Sequence, residues 1–185
     1  YTRHLLESQP KRKTNPFNGQ TPTIMEAKNI RVWFPIKKGI LRRTIGHTKA
    51  VDDVSLIVRE GQTVGVVGES GSGKTTLAMA LLRLQESKGV ITFSGERIDG
   101  FNFNRMRPLR KEMQVVFQDP FATLSPRLSV GQIIEEGLRL HKLIQQNAAE
   151  RRKTVGEALE EVELSQDLQD RYPHEFSGGQ RQRIA

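Results

Sequence analysis

The chemistry in this sequence is concentrated in Gly68-Glu69-Ser70-Gly71-Ser72-Gly73-Lys74-Thr75, which fits the Gly-x4-Gly-Lys-Ser/Thr phosphate-loop pattern, Walker A. Glycines let the backbone curl so that successive N–H groups point inward, and a helix starting at the lysine adds the positive end of its dipole. Such a nest suits the polyphosphate of a nucleotide. In it Lys74 reaches the β- and γ-phosphates, the Thr75 hydroxyl ligates Mg²⁺, and Thr76 donates to the α-phosphate. The competing reading is a glycine-rich turn that merely caps a helix. The flanking elements count against it, because a three-valine apolar run, Gln62 to Val67, leads into the turn and Leu77, Leu81, Leu82 and Leu84 follow at helical spacing.

A second polar constellation, Ser177-Gly178-Gly179-Gln180, lies 109 positions after Gly68, with Phe176 before it and Arg181-Gln182-Arg183 after it. Ser177 and Gln180 satisfy the Ser-x-x-Gln capping box of a helix start, and a helix N-terminus also attracts anions. Between the two lies Val115-Val116-Phe117-Gln118-Asp119-Pro120, an apolar run that ends in a glutamine and is broken by proline. His4, His47, His141 and His174 are isolated and there is no cysteine, so histidine pairs at helical zinc spacing, thiolate metal sites and disulfides are all excluded.

The elements that position these groups follow from periodicity. A strand begins near Ile24 and continues through Ile30, Val32 and Phe34; Lys37 to Lys49 reads as an exposed loop or hairpin; Val54, Leu56 and Val58 mark a second strand. Gln62–Val67, Val90–Phe93 and Met113–Phe117 are further strands, the first with the pattern of one buried on both faces. From Ser129 the period becomes helical. Val130, Ile133, Ile134 and Leu138 share a face behind a Ser129/Gln132 capping box, and Val155, Leu159 and Val162 mark another amphipathic helix.

Composition sets the class. In 185 residues, 36% hydrophobic and 27% charged, there is material for one globular domain and no apolar run long enough to span a bilayer. The net charge of +8 is uneven: Ala27 to Ala50 holds Lys28, Arg31, Lys37, Lys38, Arg42, Arg43 and Lys49 without an acidic residue, whereas Glu157, Glu160, Glu161 and Glu163 crowd a later stretch. A run of that kind reads first as a solvated face; anionic lipid heads, acidic partner loops and nucleic acid are the other readings.

Taken together, the phosphate loop and Ser177-Gly178-Gly179-Gln180 resemble the ATP-binding domain of ABC-type ATPases, with Phe176 where the signature usually has Leu. The resemblance implies an α/β fold, that of a P-loop NTPase with a mixed β core plus an α-helical subdomain, here truncated. It implies a site made of Gly68, Glu69, Ser70, Gly71, Ser72, Gly73, Lys74, Thr75 and Thr76, closed by Ser177, Gly178, Gly179 and Gln180 of another subunit in a head-to-tail dimer. Val115 to Pro120 resembles the Q-loop, so Gln118 is expected to reach Mg²⁺ and the attacking water. An aromatic that stacks on adenine is expected at Phe34, with Trp33 next. ATP and Mg²⁺ are the implied ligands, with Thr75 and Gln118 at the metal and Lys74 and Gln118 as the catalytic groups.

Phe34-Pro35-Ile36-Lys37-Lys38-Gly39, Lys49 to Ser55, Phe117 to Pro120 and Tyr172-Pro173-His174-Glu175 are similar to peptide-importer ATPases, closest to the second domain of the tandem ATPases of microcin-C-type importers. His174 then belongs to a structural lead-in. The implied organisation is residues 1–22 as the tail of a preceding ATPase domain and linker, 23–118 as the ATP-binding core, and 119–185 as the helical subdomain. Implied partners are a second ABC ATPase domain, membrane permease subunits and, indirectly, a periplasmic peptide-binding protein, with no nucleic acid. The expected location is the cytoplasmic face of the bacterial inner membrane. The alternative is a soluble ABC-type ATPase acting on nucleic acid or ribosomes. No strand ending in an Asp-Glu pair and no switch histidine follows the signature in these residues, so the stretch by itself is expected to bind ATP weakly, to hydrolyse none and to aggregate through an open sheet edge.

Overall fold

The computed structural model describes residues 21–39, 42–119, 123–141, 143 and 147–185. They fall into two compact units that meet in sequence between Met106 and Arg107. The expected tail and Pro120 lie outside the described residues. No helix among those described is long and apolar enough to cross a membrane.

The first unit is built on two long strands, β1 (Thr23–Lys38) and β2 (Arg43–Arg59), with β3 (Lys88–Phe93) and the short β4 (Glu96–Arg97) completing a sheet of order β2-β1-β3-β4. Every pairing in it is antiparallel. The alternation of β1 explains its place: Met25 and Ala27, then Ile30 and Val32, are buried, while Arg31 and Trp33 between them are exposed. The step between the two alternations is a bulge, with Asn29 at φ 52. Ile91 and Phe93 of β3, Ile98 just after β4, Val51 of β2, and Leu77 and Ala80 of helix α1 (Lys74–Leu81) complete the buried apolar set. Each large side chain so buried contributes about 1.5–3 kcal/mol. A short helix α2 (Phe103–Met106) closes the unit by burying Met106.

Two expected strands form no ladder. Residues 62–67 and 113–117 pair with no strand among the described residues, and most of their apolar side chains stay exposed: Val66 50%, Val67 93%, Val116 68%. A strand exists only by exchanging backbone hydrogen bonds with a neighbour, and valines buried on both faces need covering layers. The local pattern is therefore that of a central strand, but the described sheet holds only the antiparallel part.

In the second unit, α3 (Val130–Leu140) begins at Ser129, whose hydroxyl accepts from the Gln132 N–H at 3.3 Å while Gln132 Oε1 accepts from the Ser129 N–H at 2.9 Å. Helix α4 (Ala148–Glu161) starts at Asn147, whose side chain accepts from the Ala149 N–H. Three-residue and five-residue 3₁₀ turns, Pro173–Glu175 and Gln166–Asp170, lead to α5 (Gly178–Ile184). Val130, Leu159, Leu164 and Phe176 form the core, with Ile134, Val162, Leu168 and Ile184 packed around it.

Candidate nucleotide site

The phosphate loop is held against β2 by a glycine. Gly73 caps α1 in the left-handed region (φ 91), and a Cβ there would lie 2.0 Å from the Ala50 carbonyl oxygen. Gly71 also takes a left-handed φ of 79. No side chain caps α1, and its earliest backbone bond to the loop runs from the Leu77 N–H to the Gly73 carbonyl at 2.8 Å. The N–H groups of Lys74, Thr75 and Thr76 thus precede the hydrogen-bonded turns, as the orphan donors of a helix start do. The loop is braced internally by the Ser72 N–H on the Glu69 carbonyl, 3.2 Å.

The Lys74 ammonium folds back over this loop. It donates to the carbonyls of Gly68 at 2.9 Å and Glu69 at 2.6 Å and to Ser72 Oγ at 3.3 Å. All three acceptors are neutral, so phosphate oxygens carrying full negative charge compete well for the same donor. Thr75, the residue after Lys74, is exposed, and Thr76 is half-buried. A set of uncapped helix donors, an ammonium without a carboxylate partner among the described residues and a glycine that no larger residue fits suits a nucleotide's phosphates, and the adjacent hydroxyl of Thr75 suits a hard cation bridging them.

Phe34 and Trp33 are separated by the pleat. Val51 Cγ2 lies 3.7 Å from the position a Gly73 Cβ would take, and Val51 pairs across with Val32. Phe34, two residues along β1, shares that face. Trp33 points the other way, its indole N–H donating to Asp52 at 3.0 Å, with the Lys49 ammonium 4.6 Å from its ring centroid. Both aromatics are open to solvent, Phe34 at 40% and Trp33 at 39%.

In the second unit Gln118 is exposed. Ser177 Oγ accepts from the Gln180 N–H at 3.3 Å, and Gln180 Oε1 accepts from the Ser177 N–H at 2.9 Å. Gly178 and Gly179 face open space, while Phe176 anchors the segment in the core. The lead-in is structural: Glu175 accepts from the Tyr172 N–H at 2.6 Å, and the His174 ring stacks on Tyr172 with 5.8 Å between centroids.

Two features had no signal in the sequence pattern. Arg183, one turn into α5, donates to the carbonyls of Val162 at 2.9 Å and Glu163 at 3.3 Å, capping the exposed end of α4. In the first unit the Asn29 amide and the Arg31 guanidinium both donate to Asp53 Oδ1, at 3.1 and 2.9 Å. Those two bonds, the Asn29 one foremost, hold the Asp53 carboxyl below the usual carboxylate range. Arg97 does the same to Asp99, and Arg152 to Asp170.

Comparison with known proteins agrees with this geometry. Residues 51–185 match the family model described as ABC transporter. Along its whole length the chain is 57% identical to the peptidoglycan transport ATP-binding protein YejF of Agrobacterium fabrum, spanning 34% of that protein. It is 44% identical over 88% of its length to the oligopeptide transport ATP-binding protein AppF of Bacillus subtilis, spanning 49% of it. Among solved structures, the ATP-binding cassette MJ0796 in a dimeric post-hydrolysis state bound to ADP and Pi matches with a TM-score of 0.72 and 26% identity, over 87% of this chain and 66% of that one.

Proposed function

The chain belongs to the ABC transporter family of ATP-binding domains, and from that premise we propose that it is the nucleotide-binding part of a protein that couples ATP binding and hydrolysis to the import of peptides. The observation that carries the proposal is the pairing of a helix start at Lys74 that no side chain caps with an ammonium held, among the described residues, by neutral loop oxygens. Kinship with proteins named for peptidoglycan and oligopeptide transport, over the whole chain for the first and 88% of it for the second, supports the cargo class.

Each residue then has a task. The N–H groups at the start of α1 and the loop amides from Gly68 to Gly73 bind the phosphates, and Lys74 exchanges its carbonyl partners for the β- and γ-phosphate oxygens. Thr75 and Gln118 are the residues for Mg²⁺, which when bound neutralises the charge developing on the transferred phosphoryl group. Phe34 stacks on the adenine. Ser177, Gly178, Gly179 and Gln180 close over the nucleotide held by a second ABC domain in a head-to-tail pair, a reading that the dimeric state of the MJ0796 cassette supports as far as the pairing of two domains. The partners are that second domain, permease helices that dock on the second unit along Leu128, Gln132, Glu136 and Arg139, and through them a periplasmic receptor. The location that goes with these partners is the cytoplasmic face of the inner membrane, as a peripheral subunit. Nothing in the relatives favours a nucleic-acid or ribosomal role.

The test uses the full-length protein, with ATP titrated by calorimetry and transport followed in reconstituted vesicles. Lys74→Ala removes a charge-assisted hydrogen bond worth roughly 1.5–3 kcal/mol, so ATP affinity falls about ten- to a hundredfold. Gln118→Ala keeps ATP affinity and loses coupled transport. Wild-type ATP affinity in the Lys74 variant refutes the site, whereas intact transport in the Gln118 variant refutes only that residue's role.

A further inference from the structure

Beyond Arg31, where its pairing with β3 ends, β1 continues against β2 alone, so residues 33–38 and 43–49 form a two-stranded ribbon that stands out from the sheet. Nearly all of its side chains are exposed, among them Ile36 at 46% and Ile45 at 63%. The cations along it divide into two groups. Those near the sheet are neutralised: Lys28 by Glu26, Arg31 by Asp53, Lys49 by Asp52. The four at the far end, Lys37, Lys38, Arg42 and Arg43, are exposed and have no carboxylate partner among the described residues, and no acidic residue lies between Ala27 and Ala50 to supply one.

This arrangement is not that of a solvated face, where both signs intermix. Shielding a sheet edge against other strands takes isolated charges, not two adjacent basic pairs beside bare isoleucines. A two-stranded ribbon is also only marginally stable alone in water, so a second surface against it lowers its free energy. We propose that the ribbon end is a docking surface for an anionic lipid bilayer: the four cations sit among headgroup phosphates while Ile36 and Ile45 enter the interface. Unpaired cations beside exposed aliphatic side chains are the chemistry of interfacial lipid contact. A nucleic acid is read through stacking rings and hydrogen-bonding side chains, and the one tryptophan of the ribbon is already tied to Asp52 and Lys49. The inference does not depend on peptide cargo or on the assignment of the phosphate loop.

The experiment is co-sedimentation of the full-length protein with vesicles of phosphatidylcholine alone or of phosphatidylcholine mixed with phosphatidylglycerol. A quadruple variant, Lys37→Gln, Lys38→Gln, Arg42→Gln and Arg43→Gln, is compared with a control that loses the same charge elsewhere, Lys88→Gln, Lys111→Gln, Arg127→Gln and Lys153→Gln. The wild type binds the anionic vesicles and releases them as salt rises. Each surface cation contributes about fivefold to partitioning, so the ribbon variant loses on the order of a hundredfold or more while the control loses much less. ATP titration of the same variants, expected to be unchanged, reports that the fold and the phosphate loop are intact. Equal losses in the two variants, equal binding to neutral vesicles, or binding of the ribbon to RNA or to an acidic peptide in place of vesicles overturns the proposal.

Discussion

At the scale of single residues, the phosphate loop joins two requirements that sequence spacing states and geometry meets. Gly73 must be glycine twice over, for its left-handed φ and for the Ala50 carbonyl that occupies the space of a Cβ. Lys74 is already bent across the loop, so nucleotide binding needs an exchange of partners and no large movement of the side chain. Asp53 carries a different consequence. Its carboxyl is held below the ordinary value of 3.8 by Asn29 and Arg31. A depressed folded-state value means the carboxylate's contribution is complete above the ordinary value and lost as pH falls from there through the folded value. The prediction compares chemical-denaturation midpoints of the wild type and Asp53→Asn. Wild type exceeds the variant at neutral pH, and the gap closes on acidification below 3.8. A gap that stays constant down the pH series would mean that the ionised pair contributes nothing. The pair was not legible in the sequence, because it depends on the bulge that puts Asn29 and Asp53, both at positive φ, side by side on neighbouring strands.

At the scale of elements, helix starts were the most legible features. Ser129 with Gln132 and Ser177 with Gln180 each close both hydrogen bonds of a capping box, since such a box is set by four consecutive residues and needs no distant partner. The start of β1, the end of β2 and β3 were also readable, whereas residues 37–38 and 43–49, read as parts of an exposed loop or hairpin, prove to be the paired ends of two longer strands. What pattern alone did not reveal is how α5 is held. Arg183 reaches the carbonyl end of α4, where a cation meets both unpaired oxygens and the negative end of the helix dipole. With Phe176 in the core on one side and Arg183 on the other, the Ser177–Gln180 turn is fixed at both ends. Arg183 is therefore a positioning residue for the signature turn. In the full-length protein Arg183→Ala is expected to leave ATP affinity within about twofold of wild type and to lower ATP turnover by about tenfold, the effect of losing one charged hydrogen bond. Arg183→Lys, keeping a single donor, recovers part of the rate. A loss of ATP affinity equal to the loss of turnover would mean general damage to the fold and would end the positioning role.

At the scale of the whole molecule, charge and apolar surface are both unevenly placed. The second unit balances its acidic and basic residues, so the excess of eight positive charges belongs to the first. Part of the bare apolar surface lies in the two segments expected as strands, where Val64, Val66, Val67, Val116 and Phe117 are exposed without a ladder among the described residues. They are expected as strands because buried parallel strands are nearly continuous apolar runs, but they are not strands among the described residues, because a run says what a strand needs and not which neighbour supplies it. Contiguous bare valines beside unpaired backbone groups are a template for association with other chains. The polypeptide 1–185 expressed by itself is accordingly expected to bind the dye anilinonaphthalene sulfonate strongly and to sediment as a mixture of oligomers. Replacing Val67, the most exposed of these residues at 93%, with Lys should reduce both signals without changing the far-ultraviolet circular dichroism. Monodisperse behaviour of the unsubstituted polypeptide with no dye enhancement would show that these segments find cover within the 185 residues, and the central-strand reading of residues 62–67 would fall with it.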